Sequence, residues 1–131
     1  MTIEQLLNNR IPGKMVCAGN WRSLCHTDDD GRKIVTVYHY ATEMIQFYAR
    51  PKHPDFPVAE RFISHVDLGH GSKSDQDGMN RIFRKLGLSW YYSRKGGSAQ
   101  IIDLLQDPES TALPKYLRDP EIRRSVYGYS S

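Results

Sequence analysis

Two cysteines in 131 residues, Cys17 and Cys25, are too few for a disulfide framework. No uninterrupted apolar run approaches the roughly 20 residues that a membrane-spanning helix needs. Met1-Thr2-Ile3-Glu4-Gln5 is acidic and soon polar, unlike the charged-then-apolar opening of a secretion signal. These absences lead to the expectation of a cytoplasmic protein with reduced thiols and no membrane association. Charge of one sign is also scarce. Eighteen Lys+Arg stand against 15 Asp+Glu, a net charge of +3 with a pI near 8.9. That total is too small to identify a nucleic-acid binder, so the clustering of the cations matters more than their excess. HExxH, paired-cysteine, P-loop and GxGxxG spacings are missing, and no cofactor is expected. There are no internal repeats and no low-complexity linker.

What is present is ordinary globular composition, with 39% hydrophobic and 25% charged residues. The length predicts one domain with a single core. Thr2 and Gln5 form a capping box for a short helix carrying Ile3, Leu6 and Leu7. Lys14 to Ala18 reads as a strand run that Gly19-Asn20 breaks and Trp21 to Thr27 resumes. Asp28-Asp29-Asp30-Gly31 then predicts a hairpin into Lys33 to Tyr40. A two-residue Asp30-Gly31 loop would set Arg22 opposite His39, Leu24 opposite Val37 and His26 opposite Val35. In that register Cys25 and His39 lie on opposite faces, which argues against a Cys/His nucleophile.

Glu43 to Arg50 predicts a third strand of this series, and three prolines between Pro51 and Pro57 make a loop. Glu60 to Leu68 alternates as a fourth strand, with Phe62, Ser64, Val66 and Leu68 on one side. Met79, Ile82, Phe83 and Leu86 recur at helical spacing, so Asp75 to Leu86 reads as the main helix, capped by Ser72 or Ser74 and ended by Gly87. Ser89 to Lys95, Gly96-Gly97 and Ser98 to Asp103 predict a second hairpin. Beyond it, prolines at 108, 114 and 120 punctuate the chain, and Asp119-Pro120 starts a short helix over Glu121 to Val126. The aromatics Tyr116, Tyr127 and Tyr129, with Leu117, Ile122 and Val126, favour packing of this tail on the domain.

Five stretches in this order carry a resemblance: Asp29-Asp30-Gly31, Tyr38-His39-Tyr40-Ala41-Thr42, Gly71-Ser72-Lys73-Ser74, Gly78-Met79-Asn80-Arg81-Ile82 and Tyr91-Tyr92-Ser93-Arg94-Lys95-Gly96. Over residues 14 to 103 the chain resembles a loosely related set of small uncharacterised accessory proteins of tailed bacteriophages and archaeal viruses. The resemblance implies a viral accessory product acting inside the infected cell, and no particular reaction. The Pro51 to Pro57 insertion and the Pro-rich C-terminal extension depart from the pattern of the set.

Four groups of residues could carry chemistry. Arg81, Arg84 and Lys85 sit at i, i+3 and i+4 on the main helix, and Arg94 and Lys95 at the hairpin tip would extend this surface along a phosphate backbone. The alternative is a solvated helix face. Gly71, Ser72, Lys73 and Ser74 could hold an anion at the helix entry, although Asp75 and Asp77 already supply negative charge there. His65, Asp67 and His70 are weak candidates for a metal or an acid/base pair, without a supporting motif. Tyr38, Tyr40, Phe47, Tyr48, Trp90, Tyr91 and Tyr92, beside Arg22, Arg50 and Arg94, could form a stacking platform, with Trp90 and Tyr92 as its binding residues.

The sequence thus predicts one α+β domain over residues 1–131. Its expected core, about 14–104, is a mostly antiparallel sheet of five or six strands, with one main helix packed on a face and short terminal helices. Residues 105–131 form the extension. The expected function is a non-enzymatic viral accessory protein that binds a host macromolecule, most simply a host protein, and counteracts a host defence. The alternative is a protein that binds nucleic acid or nucleotide phosphate. A small metal-dependent hydrolase is third.

Overall fold

The computed structural model describes residues 1–49 and 63–127. The fold is α+β, with a five-stranded antiparallel sheet, a second two-stranded sheet and helices. The chain forms two compact units, residues 1–69 and 70–131.

In the first unit, α1 (Ile3–Leu6) carries the expected Thr2/Gln5 capping box. The strands β1 (Met15–Ala18), β2 (Trp21–Thr27), β3 (Lys33–His39), β4 (Thr42–Tyr48) and β5 (Ile63–Val66) pair in sequence order. Asn9 Nδ2 donates to the Lys14 carbonyl at 2.9 Å, and Ser23 Oγ donates to the Leu6 carbonyl at 2.9 Å, so buried polar side chains fasten α1 to the sheet. Ile3, Leu6, Leu7, Val35, Met44 and Phe47 are among the buried apolar residues of this unit.

The β2–β3 register differs from the sequence expectation by one residue. Trp21 faces His39, Ser23 faces Val37, Cys25 faces Val35 and Thr27 faces Lys33. The connection is not a two-residue Asp30-Gly31 loop. Asp28 Oδ1 accepts from the amides of Asp30 and Arg32 at 2.9 and 2.8 Å, and Gly31, at φ +77°, donates to the Asp28 carbonyl. An Asx turn at Asp28 therefore lengthens the loop, and a one-residue change in register exchanges the faces. Cys25 and His39 share a face as a result. They lie four pairs apart along the ladder, about 13 Å of strand rise, so a Cys/His nucleophile is still not formed.

The alternation expected for 60–68 is broken by a bulge. Ile45 faces Val66 while Phe47 faces Ile63, which brings Ile63 and Val66 to the same side. Arg50 and the Pro51–Pro57 loop lie outside the described residues, as do 58–62. The β3–β4 connection is a two-residue loop, Tyr40-Ala41, between the paired His39 and Thr42. Tyr40 has φ +54°, the one non-glycine residue at positive φ among the described residues. For an aromatic side chain this backbone costs on the order of 1–3 kcal/mol.

In the second unit, α2 (Lys73–Lys85) has Ser72 as its N-cap. Its C-terminus is a Schellman motif: Leu88 N donates to the Phe83 carbonyl and Gly87 N to the Arg84 carbonyl, with Gly87 at φ +74°. Met79, Ile82 and Phe83 are buried, and α2 packs on β6 (Trp90–Ser93), which pairs with β7 (Gln100–Asp103). The hairpin connection is wider than a Gly96-Gly97 turn. It runs from Arg94 to Ala99 and holds a 3-10 turn, Lys95–Gly97. Downstream lie α3 (Lys115–Arg118) and α4 (Pro120–Tyr127). The tail does pack: Leu113, Leu117 and Tyr127 form one apolar cluster with Ile102 and Leu104 of the hairpin. Among the described residues no helix is long and apolar enough to cross a membrane.

Candidate functional site

One face of α2 repeats polar side chains at i, i+4, i+7 and i+11: Lys73, Asp77, Asn80 and Arg84. Together with Arg81, Tyr91 of β6 and Tyr116 of α3 they border an open cleft of about 380 Å³. Three cations and one carboxylate stand at its edge, the carboxylate of Asp77 being 3.4 Å from Lys73 Nζ in an exposed pair. Gln76 Nε2 donates to the Tyr91 hydroxyl at 3.3 Å and to the Tyr92 carbonyl at 3.1 Å, which fixes the floor. Burial pushes the Tyr91 phenol above its ordinary pKa. Tyr116 and Asp77 add to this, and the Gln76 hydrogen bond and Arg84 offset part of it.

The expected basic face divides. Arg81 and Arg84 line the cleft. Lys85 is exposed in the last turn, where it complements the helix dipole, and does not line the cleft. Arg94 acts locally, its Nε donating to the Gly71 carbonyl at 2.8 Å. Lys95 is exposed in the 3-10 turn, its backbone N–H donating to Ser93 Oγ.

The residues Gly71, Ser72, Lys73 and Ser74 are not an open anion cradle. Asp75 Oδ2 accepts from the amides of His70 and Ser72, each at 3.1 Å, and Ser72 Oγ accepts from the Asp75 amide at 3.0 Å. A buried carboxylate of the chain itself occupies the place where an external anion would dock. Lys73 instead reaches the cleft.

Tyr92 is fully buried, which corrects its expected place in a binding surface. Strand alternation turns its ring to the core side of β6. Trp90 is half-buried and meets Phe83 edge to face, ring centroids 5.6 Å apart. In the first unit Phe47 is core, while Tyr48 lies 3.8 Å beneath the Arg32 guanidinium and Tyr38 lies 5.3 Å from that of Arg22. The metal candidates do not converge. His65 is exposed on β5, Asp67 Oδ1 accepts from the Gly69 amide at 2.7 Å, and the His70 amide is held by Asp75. Among the described residues no group of three or more His, Cys, Asp or Glu side chains could hold a metal ion.

Sequence reasoning placed Tyr116 among the packing aromatics of the tail, whereas it is 49% exposed at the cleft, and missed the roles of Gln76 and Asn80. Their i, i+4 spacing with Arg84 was a readable signal; the approach of Tyr116 was not. The fold and this cleft define an α+β protein with a cationic, tyrosine-bordered cleft. No family model, curated protein or solved structure matches the chain.

Proposed function

We propose that the chain is a binding protein whose second unit takes a single nucleic-acid strand in the α2–β6–α3 cleft. The observation that supports this reading is the meeting of Lys73, Arg81 and Arg84 with two tyrosines, Tyr91 and Tyr116, around one opening. Cations track phosphates, and phenol rings stack on bases without demanding a sequence. Three phosphate contacts give an expected slope of log affinity against log salt of about −2 for a single strand. Fluorescence anisotropy of a labelled oligouridine and an oligothymidine over a salt series tests it. Arg84→Gln should flatten the slope by about 0.7, and Tyr116→Ala should weaken binding at every salt concentration. Absence of binding at low salt, or binding that Arg81→Gln and Arg84→Gln together leave unchanged, overturns the reading.

A protein partner is the second reading. The phage resemblance would make the chain a viral accessory protein of the host cytoplasm that holds a host protein against a defence system. Exposed Leu105, Tyr116 and Ile122 in the second unit are the large apolar side chains that such a partner would bury. Capture of one host protein, lost with Ile122→Asp and retained with Arg84→Gln, is the result that supports it.

A further inference from the structure

A second opening, of about 440 Å³, lies in the first unit, where the β1–β2 turn meets the β3–β4 turn. The two turns are joined by the Tyr40 amide donating to the Asn20 carbonyl at 2.9 Å and by Asn20 Nδ2 donating to the Tyr40 hydroxyl at 2.8 Å. Cys17, Trp21 and Arg22 complete the border; among the described residues Arg22 is its one charged residue and no carboxylate lines it. Cys17, Arg22, Tyr38 and Glu43 are direct partners across four strands, which sets Glu43 two strands away from Arg22.

Two features here are costly in the free chain. Arg22 Nε is shielded from solvent with no hydrogen-bond partner among the described residues. Tyr40 is 63% exposed, so burial does not offset its backbone at φ +54°, which glycine would adopt freely. A strained aromatic that stays largely exposed although its ring meets that of His39 at 4.6 Å between centroids, beside a guanidinium that lies over the Tyr38 ring, has the chemistry of a clamp for a flat anion.

We propose that this opening binds a small molecule carrying a planar ring and a carboxylate or phosphate, with Arg22 pairing the anion and Tyr40 covering the ring. The site is independent of the cleft in the second unit. Benzoate and phenyl phosphate are the probes, with neutral benzamide as the control, and the two anions distinguish carboxylate from phosphate. Either anion, in the millimolar range, should shift the backbone amides of Asn20, Tyr40 and Ala41 and slow alkylation of Cys17. Cys17 is exposed and lines the opening, whereas Cys25 is fully buried and does not compete for the reagent. Arg22→Gln should weaken binding about tenfold or more, the loss of one charge-assisted contact. Tyr40→Gly should weaken binding while the melting temperature stays level or rises, which a purely structural tyrosine would not do. Equal shifts with benzamide, no shift with either anion, or binding that both variants retain overturns the proposal.

Discussion

The side-chain amide of Asn80 pairs with both backbone polar groups of Tyr92: Nδ2 donates to its carbonyl at 3.2 Å and Oδ1 accepts from its amide at 2.7 Å. Asn80 thus does for β6 what a neighbouring strand would do, from within a helix. The pair is buried, and it holds the floor of the cationic cleft against α2.

Replacing Asn80 with alanine leaves the Tyr92 amide without its partner in a buried setting. The expected loss is roughly 2–4 kcal/mol of unfolding free energy, from two buried hydrogen bonds. Urea unfolding followed by far-UV circular dichroism measures it. A loss below about 0.5 kcal/mol, the range of ordinary surface substitutions, contradicts the role given to this amide.

Leu117 is buried in the cluster of Ile102, Leu104, Leu113 and Tyr127. Leu117→Ala should cost about 2–5 kcal/mol, the range for a buried leucine truncated in a closed core. The same substitution at Leu105, which is 55% exposed, should cost about 0.5 kcal/mol or less. If both variants melt alike, the tail does not belong to this core.

Absorbance near 295 nm followed through the alkaline range should show the Tyr91 phenol ionising above the ordinary value near 10, because burial disfavours its charged form. Its folded pKa is raised, so its contribution to stability is complete below the unfolded pKa and is lost as pH rises through the folded one. Tyr91→Phe should remove about one phenol's worth of the absorbance change above pH 10 and flatten this alkaline loss. An absorbance change above pH 10 that is the same with and without Tyr91→Phe assigns the ionisation to another residue.

Several elements were legible because their causes are local. The Thr2/Gln5 cap, the apolar stripe of α2 and the Gly87 stop each act within one turn of helix, so spacing alone reveals them; Ser72 and Ser74 were both readable as the α2 cap, and the hydrogen bonds between Ser72 and Asp75 select Ser72. The β2–β3 register was not legible. It depended on whether Asp28 would fold its carboxylate back onto the amides of Asp30 and Arg32, a choice the Asp-Asp-Asp-Gly run leaves open. The helix-entry turn was readable as an anion site only while the direction of the Asp75 carboxylate was unknown.

The sequence by itself determined the α+β class, the position of most strands and helices, and which face of α2 is apolar, because these follow from periodicity and capping. Tertiary structure alone decided that Arg81 and Arg84 meet Tyr91 and Tyr116 while Lys85 stays apart and Tyr92 turns inward. It likewise brought Cys17 and Arg22 to the opening beside Tyr40, since cross-strand register, not order along the chain, sets which side chains share a face. The small excess of positive charge was countable from composition, and the sharing of one helix face by Arg81 and Arg84 from their spacing; their meeting with Tyr91 and Tyr116 came from packing α2 against the hairpin and the tail.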